Sequence, residues 1–574
     1  MKKRYKNIIS LLICLVMFLP TFATGCVSST DEDEVKTDKT KTQLYVHIHD
    51  GGFGAEWFSE LTKDFESKYA NYQGKEGKVG VQIIPDATKN TLQTVSDVTG
   101  SINEVIFTEQ FSDYIEYVNQ GAFLDITDVV TKEVKGEKTE TNPTGSILGR
   151  FTEEQKEFYC VNGKYYAIPH YEKYYGFTID LDVFERAERN GALCLYLDDN
   201  GNFITDSINK ELRSKGPDNI KGTYDDGLPA TYDQFFKVLD KMVATNITPI
   251  IWSGNSKGYY TNYLTYLEAN AIGFDDYKLY YSMNGMAHNI VDSITEGSDF
   301  ESTVVNVKEQ SIDESNAYLL YGSSGRYYAS KFFEKIITNY NKYLYKDSFL
   351  NSDYHTDAQY NFINSKYDST KKRIGMILEG IWWENEAENR FNDMENTYGE
   401  EASRQGRNFA FIPVPVPTKL KDGETHKNII PSKGDTLAFI NANIADDKVE
   451  LAKAFLELFY TTEELNKFTA ITGTSIGLKY DVSDETMNKL SPYSRSVITV
   501  KNNSDILYQY SQNRLYVNNV NTLLSINTWD AVINNSTVSD MMETMRYSNV
   551  TALEYFNGIK EKHNKTWWDT NIYK

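Results

Sequence analysis

The sequence is short of cysteine, of positive charge and of long apolar runs, and each shortage excludes something. Of four cysteines in 574 residues, Cys14 and Cys26 lie at the N-terminus, leaving Cys160 and Cys194 for the body of the chain. An oxidising compartment permits those two to pair, and two independent buried thiols are an equal alternative. Lys and Arg number 59 against 81 Asp and Glu, a formal charge of -22. Such an acidic surface repels nucleic acid and anionic lipid alike, so neither nucleic-acid binding nor polybasic membrane binding is expected. Beyond the N-terminus no stretch approaches about 18 uninterrupted apolar residues, so no later segment is expected to span a bilayer. There is no H-E-x-x-H and no Walker A motif, and no enzyme class built on them is indicated. A retaining glycosidase needs two carboxylates about 5 Å apart, a geometry that abundant Asp and Glu leave open.

The one long apolar run is the first. Lys2, Lys3, Arg4 and Lys6 precede the apolar Ile8 to Phe22, which ends in Ala23-Thr24-Gly25-Cys26. A cationic start, a short apolar stretch and a small-residue cleavage site make an export signal rather than a membrane span. The tetrapeptide resembles the lipobox of signal peptidase II substrates, with Ala23 where leucine is preferred. That resemblance implies Cys26 as the lipidated N-terminus of a protein held outside the cell membrane. Removing residues 1–25 takes four cations and no anion, leaving 55 Lys+Arg against 81 Asp+Glu, or -26. Val27 to Thr42 has no aromatic residue and cannot bury a core, so residues 26–42 read as a flexible tether.

What the chain has in plenty is tyrosine: 42 Tyr and 29 Phe beside 7 Trp. Tyrosine joins a flat apolar face to a hydroxyl, which suits ligands such as pyranose rings. Tyrosine enrichment from a biased genome is an equal explanation. Roughly 530 residues after the tether exceed what one core organises, so two lobes are expected. Leu44 to His49, Val79 to Pro85 and Glu104 to Thr108 read as strands. Trp57, Leu61, Phe65 and Tyr69 recur every four residues as a helix stripe. Thr152-x-x-Gln155, Thr231-x-x-Gln234 and Thr461-x-x-Glu464 announce helix starts, and Asp446-Asp447 introduces Leu451, Phe455 and Phe459. This alternation predicts an α/β fold whose ligand loops lie beyond the strand ends, Asp50 to Ala55 among them. The loop-rich, acidic stretch 193–229 reads as a surface insertion.

Taken in order, Gly51 to Phe58, Gly121 to Thr127, Lys164 to Pro169 with Phe177 to Phe184, Gly216 to Thr231, Ile374 to Trp383, Ala410 to Pro417 and Ala452 to Leu456 resemble the extracellular solute-binding proteins of carbohydrate ABC transporters, in a long Gram-positive branch. The crossing carries Thr178-Ile179-Asp180 where the family has Tyr-Asn. The resemblance implies a two-lobed periplasmic-binding-protein-like α/β fold with a hinge. By analogy, residues 43–171 and 434–480 form lobe 1, and 172–433 and 481–574 form lobe 2 and the hinge. It further implies a monomeric, non-catalytic protein that takes an oligosaccharide and delivers it to permease subunits. A surface glycosidase and a binder of peptide or another polar solute are the alternatives.

Sugar recognition needs aromatic platforms for ring faces and polar groups for hydroxyls, and unpaired buried polar groups reject the wrong ligand. The family often places a stacking tryptophan where Trp382 stands, after Gly380, with Trp383 as its neighbour on the opposite side of the backbone. Trp252 ends the strand Thr248 to Trp252 and runs into Ser253-Gly254-Asn255. Tyr171 and Tyr174 lie at the crossing, and Glu56 and Trp57 on the first loop. Trp529, Trp567 and Trp568 are expected to pack. His47 and His49 share a strand face with Asp50 next, but no distant third metal ligand suggests itself, so they read as ordinary strand histidines, and no cofactor is expected. Asp198-x-Asn200-x-Asn202-x-x-x-Asp206 resembles the start of a calcium loop, with Gly201 and Asn209 off pattern. The same segment reads equally well as a hairpin turn at Asp199-Asn200-Gly201.

Overall fold

The computed structural model describes residues 36–88, 92, 94–109, 114–185, 187–188, 191–192, 194–206, 209–345, 354–418 and 427–574. The signal, Cys26 and most of the tether lie outside the described residues. Eleven strands, in chain order, build two sheets and their connection: β1 (Thr42–His49), β2 (Val81–Thr88), β3 (Val105–Thr108), β4 (Ala167–Pro169), β5 (Tyr175–Asp180), β6 (Thr248–Ile251), β7 (Ile374–Gly380), β8 (Phe409–Phe411), β9 (Asn428–Ser432), β10 (Leu437–Ile440) and β11 (Ser504–Tyr508).

The first sheet has the order β2-β1-β3-β10-β4. β1 runs parallel to both β2 and β3, with Val46 opposite Val105, while β10 is antiparallel to β3 and β4. β3 is buried along its whole length, as a central strand covered on both faces must be. The helix Glu56–Lys68 lays Trp57, Leu61 and Phe65 inward, and Phe65 meets Phe455 of the helix Val449–Phe459 edge-on at 5.0 Å. Both stripes follow the four-residue spacing read from the sequence. Thr152 and Thr231 close capping boxes with Gln155 and Gln234, and Thr461 caps the next helix.

The second sheet has the order β6-β7-β5-β8. β6 and β7 are parallel, and β5 is antiparallel to β7 and β8. All seven residues of β7 are buried. The chain passes between the sheets at 170–174, 431–436 and 473–491, so the molecule is a two-lobed α/β fold with three crossings. A buried carboxyl on the first crossing joins it to the second and to β11. Glu172 accepts from Ser432 Oγ at 2.6 Å and from the Tyr508 hydroxyl at 2.5 Å. Gln155 donates to that same hydroxyl at 2.7 Å, and β9 pairs with β11 beside it.

The stretch expected as a surface insertion contains only one short 3-10 turn, Lys210–Leu212, among its described residues. It is not merely superficial, since Leu195, Tyr196 and Leu197 are buried and the Arg213 guanidinium lies 3.5 Å from the centre of the Tyr196 ring. Asp198 Oδ1 accepts from the backbone N–H of Asn200 and Asn202, Gly201 takes a positive φ of 71°, and Leu197 bridges Phe203. These are the features of a hairpin turn. Cys160 and Cys194 are both free thiols, the latter buried.

Candidate ligand-binding cleft

β7 ends at Gly380, and two residues later Trp382 caps the short helix Trp383–Glu386. The turn, not strand alternation, separates the two indoles. Trp383 goes inward among Phe362, Phe391, Phe409 and Tyr493, its Nε1 donating to Thr178 Oγ1 at 3.2 Å. Trp382 goes to the junction of the lobes. A Cβ on Gly52 would stand 2.3 Å from Trp382 Cδ1, and one on Gly380 2.3 Å from Cζ2. Only glycines at both places let the indole lie against the two backbones. Phe53 from the first lobe and Tyr175 from the second meet the ring edge-on at 6.2 and 5.4 Å, and Tyr259 tilts against it at 6.2 Å.

Beside Trp382 opens a cavity of about 410 Å³, within the roughly 300–1,000 Å³ usual for small-molecule sites. Tyr171, Tyr175 and Tyr266 line its aromatic side, and Glu109, Lys173 and Asp435 its charged end. Lys173 Nζ pairs with Asp435 at 2.9 Å. Burial pulls the Lys173 ammonium down, but Asp435 and then Glu109 outweigh it and hold the pKa above its ordinary value. Burial pushes Glu109 up to about 7 against the pull of Lys173. His49 Nε2 is 3.7 Å from Glu109, and burial, then His47 and Lys173, lower its pKa. Within β7, burial and then Glu386 raise the Glu379 carboxyl well above its ordinary value, and its Oε2 accepts from the Gly380 N–H at 3.1 Å.

Of the residues proposed from sequence, the structure brings Trp382 and Tyr171 together on the cavity wall. The other six do not line it. Trp252 is buried against Tyr260 and Phe333, because its strand end is covered by the helices that follow. Trp57 sits among Phe58, Phe107, His170, Phe459 and Phe468, on the inward stripe of its helix. Tyr174 is buried, alternating with the cavity-lining Lys173 and Tyr175. Trp383 is in the core, while Glu56 and Asn255 are exposed to solvent. The sequence reading missed Glu109, Lys173, Tyr175 and Asp435, and it treated as packing Trp529 and Trp568, which line the far end. Their convergence is tertiary, and no local pattern signals it.

No family model matches the chain. No curated protein matches it either. Solved structures do. The apo form of RafE from Streptococcus pneumoniae is similar at 14% identity, over 92% of this chain and 99% of that one, with a TM-score of 0.50. A chitin oligosaccharide binding protein is similar at 13% identity, over 93% of this chain and all of that one, with a TM-score of 0.51. The fold is that of a solute-binding protein. At these identities the likeness carries the two-lobed architecture and leaves the ligand to the cleft itself.

Proposed function

We propose that the protein captures an oligosaccharide between its lobes, without catalysis, and presents it to the permease of an ABC transporter while anchored outside the cell through lipidated Cys26. The observation that carries the reading is the seat of Trp382, an indole lying on a glycine from each lobe at the mouth of a cavity with aromatic and carboxyl walls. Apolar ring faces beside groups that donate and accept are what a pyranose needs. The solute-binding fold supports capture, and the chitin oligosaccharide binding protein among similar structures supports a glycan as the ligand class. The N-terminal signal supports the anchor.

A glycan array probed with fluorescently labelled protein of residues 27–574 tests the ligand class, with a dipeptide and oligopeptide panel beside it. Saturable binding to one family of neutral oligosaccharides is expected, and silence on glycans with a peptide response overturns the reading. Overnight incubation with a bound glycan should return it intact by chromatography, whereas catalytic release of shorter sugars contradicts a binding role. Clickable palmitate should label cells expressing the full chain and not those expressing Cys26→Ala, and equal labelling contradicts the anchor.

A further inference from the structure

The cavity continues past Trp382 between the helix Gly258–Ile272 and the C-terminal segment around Thr528 and Trp529, where it meets a buried guanidinium. Arg326 is 3% exposed and Glu268 1%. Arg326 Nε lies 3.1 Å from Glu268 Oε1 and 3.2 Å from the Tyr280 hydroxyl, and Nη1 donates to the Thr528 carbonyl at 2.5 Å. Those contacts leave Nη2 without a hydrogen-bond partner among the described residues. Trp529 and Tyr321 hold the guanidinium in place, their ring centres 4.6 and 4.8 Å from Cζ. A planar fork fixed by two rings and an acid, with one nitrogen spare beside a cavity, is a preorganised donor.

The charge balance says what it takes. Glu268 already neutralises Arg326, and the other charged side chains lining the cavity are Glu109, Glu172 and Asp435 against Lys173 and Lys433. A ligand carboxylate would compete with Glu268 for one guanidinium and face further acids, whereas a hydroxyl oxygen accepts from Nη2 with no charge to bury. We infer that Arg326, framed by Trp529 and Tyr321, forms a distal subsite for an uncharged sugar unit beyond the one at Trp382. The inference rests on the oligosaccharide reading and narrows it to neutral chains.

Calorimetry tests it with neutral β-1,4-, α-1,4- and β-1,3-linked oligosaccharides of two to five units. For the chain that binds, lengthening is expected to raise affinity about tenfold at the unit that reaches Arg326, the usual scale of a hydrogen bond to a charged group. Arg326→Lys, which keeps the charge and loses the fork, should abolish that gain. So should Thr265→Phe, which fills the cavity beside Glu268 and leaves the ion pair untouched, and which keeps the test open if Arg326→Lys does not fold. A gain that survives in Thr265→Phe, or no gain in the unaltered protein, overturns the subsite while leaving oligosaccharide binding intact. Equal affinity for a chain ending in a uronic acid overturns its neutrality. Failure to bind any glycan removes both the subsite and the reading beneath it.

Discussion

Trp382 and Trp383 are adjacent in sequence and opposite in environment, one at the lobe junction and one fully buried among four aromatic rings. Truncating a buried tryptophan removes its area and leaves a cavity, costing about 3–5 kcal/mol. Trp383→Ala should therefore lower stability by that amount in denaturant unfolding. A second residue prediction concerns Glu109, whose carboxyl is pushed up to about 7 by burial from an unfolded value near the ordinary one of about 4.3. Below both values each state is protonated and nothing is gained or lost. As pH rises between them the unfolded chain releases its proton first, so this group's contribution falls across that window and is constant above it. Glu109→Gln does not titrate. Its stability relative to the unaltered protein should rise from about pH 4 to about pH 7 and then level, which denaturation midpoints at a series of pH values will show.

At the scale of elements, the capping boxes at Thr152 and Thr231 do what their spacing announces. Thr231 Oγ1 accepts from the Gln234 N–H while Gln234 returns the bond, and the helix Tyr232–Ala244 behind it buries Phe235, Val238, Leu239 and Met242. Thr231→Ala should cost about 1 kcal/mol, read as a shift in the unfolding midpoint with an unchanged denaturant slope. These elements were legible because capping and helix periodicity are local. β1 and β3 were legible for a similar reason, their β-branched runs being short and bounded. The wall of the cleft was legible only at Trp382 and Tyr171. Glu109 follows β3, Lys173 and Tyr175 flank a crossing, Asp435 lies on the second crossing, and Trp529 arrives from the C-terminal segment. Residues that distant in sequence meet only through packing. Trp252 and Trp57 show the converse, since a strand end or a first loop faces a cleft only if no helix covers it.

At the scale of the molecule, Glu172 on the first crossing ties Ser432 on the second and Tyr508 on β11 to one buried carboxyl, and the Trp382 indole bridges the two lobes. That indole touches Phe53 and Gly52 on one side and Tyr175 and Tyr259 on the other. A ligand held there is held by both lobes at once, which is how a two-lobed protein couples capture to closure. An aromatic platform contributes about 0.5–1.5 kcal/mol beyond the area it buries, and each 1.4 kcal/mol is about a factor of ten in affinity. The direct measurement is calorimetry of Trp382→Ala beside the unaltered protein, both shown folded by thermal melting, with the glycan that binds best. Affinity at least about tenfold weaker is the expected result; a folded Trp382→Ala protein with undiminished affinity would place the ligand elsewhere.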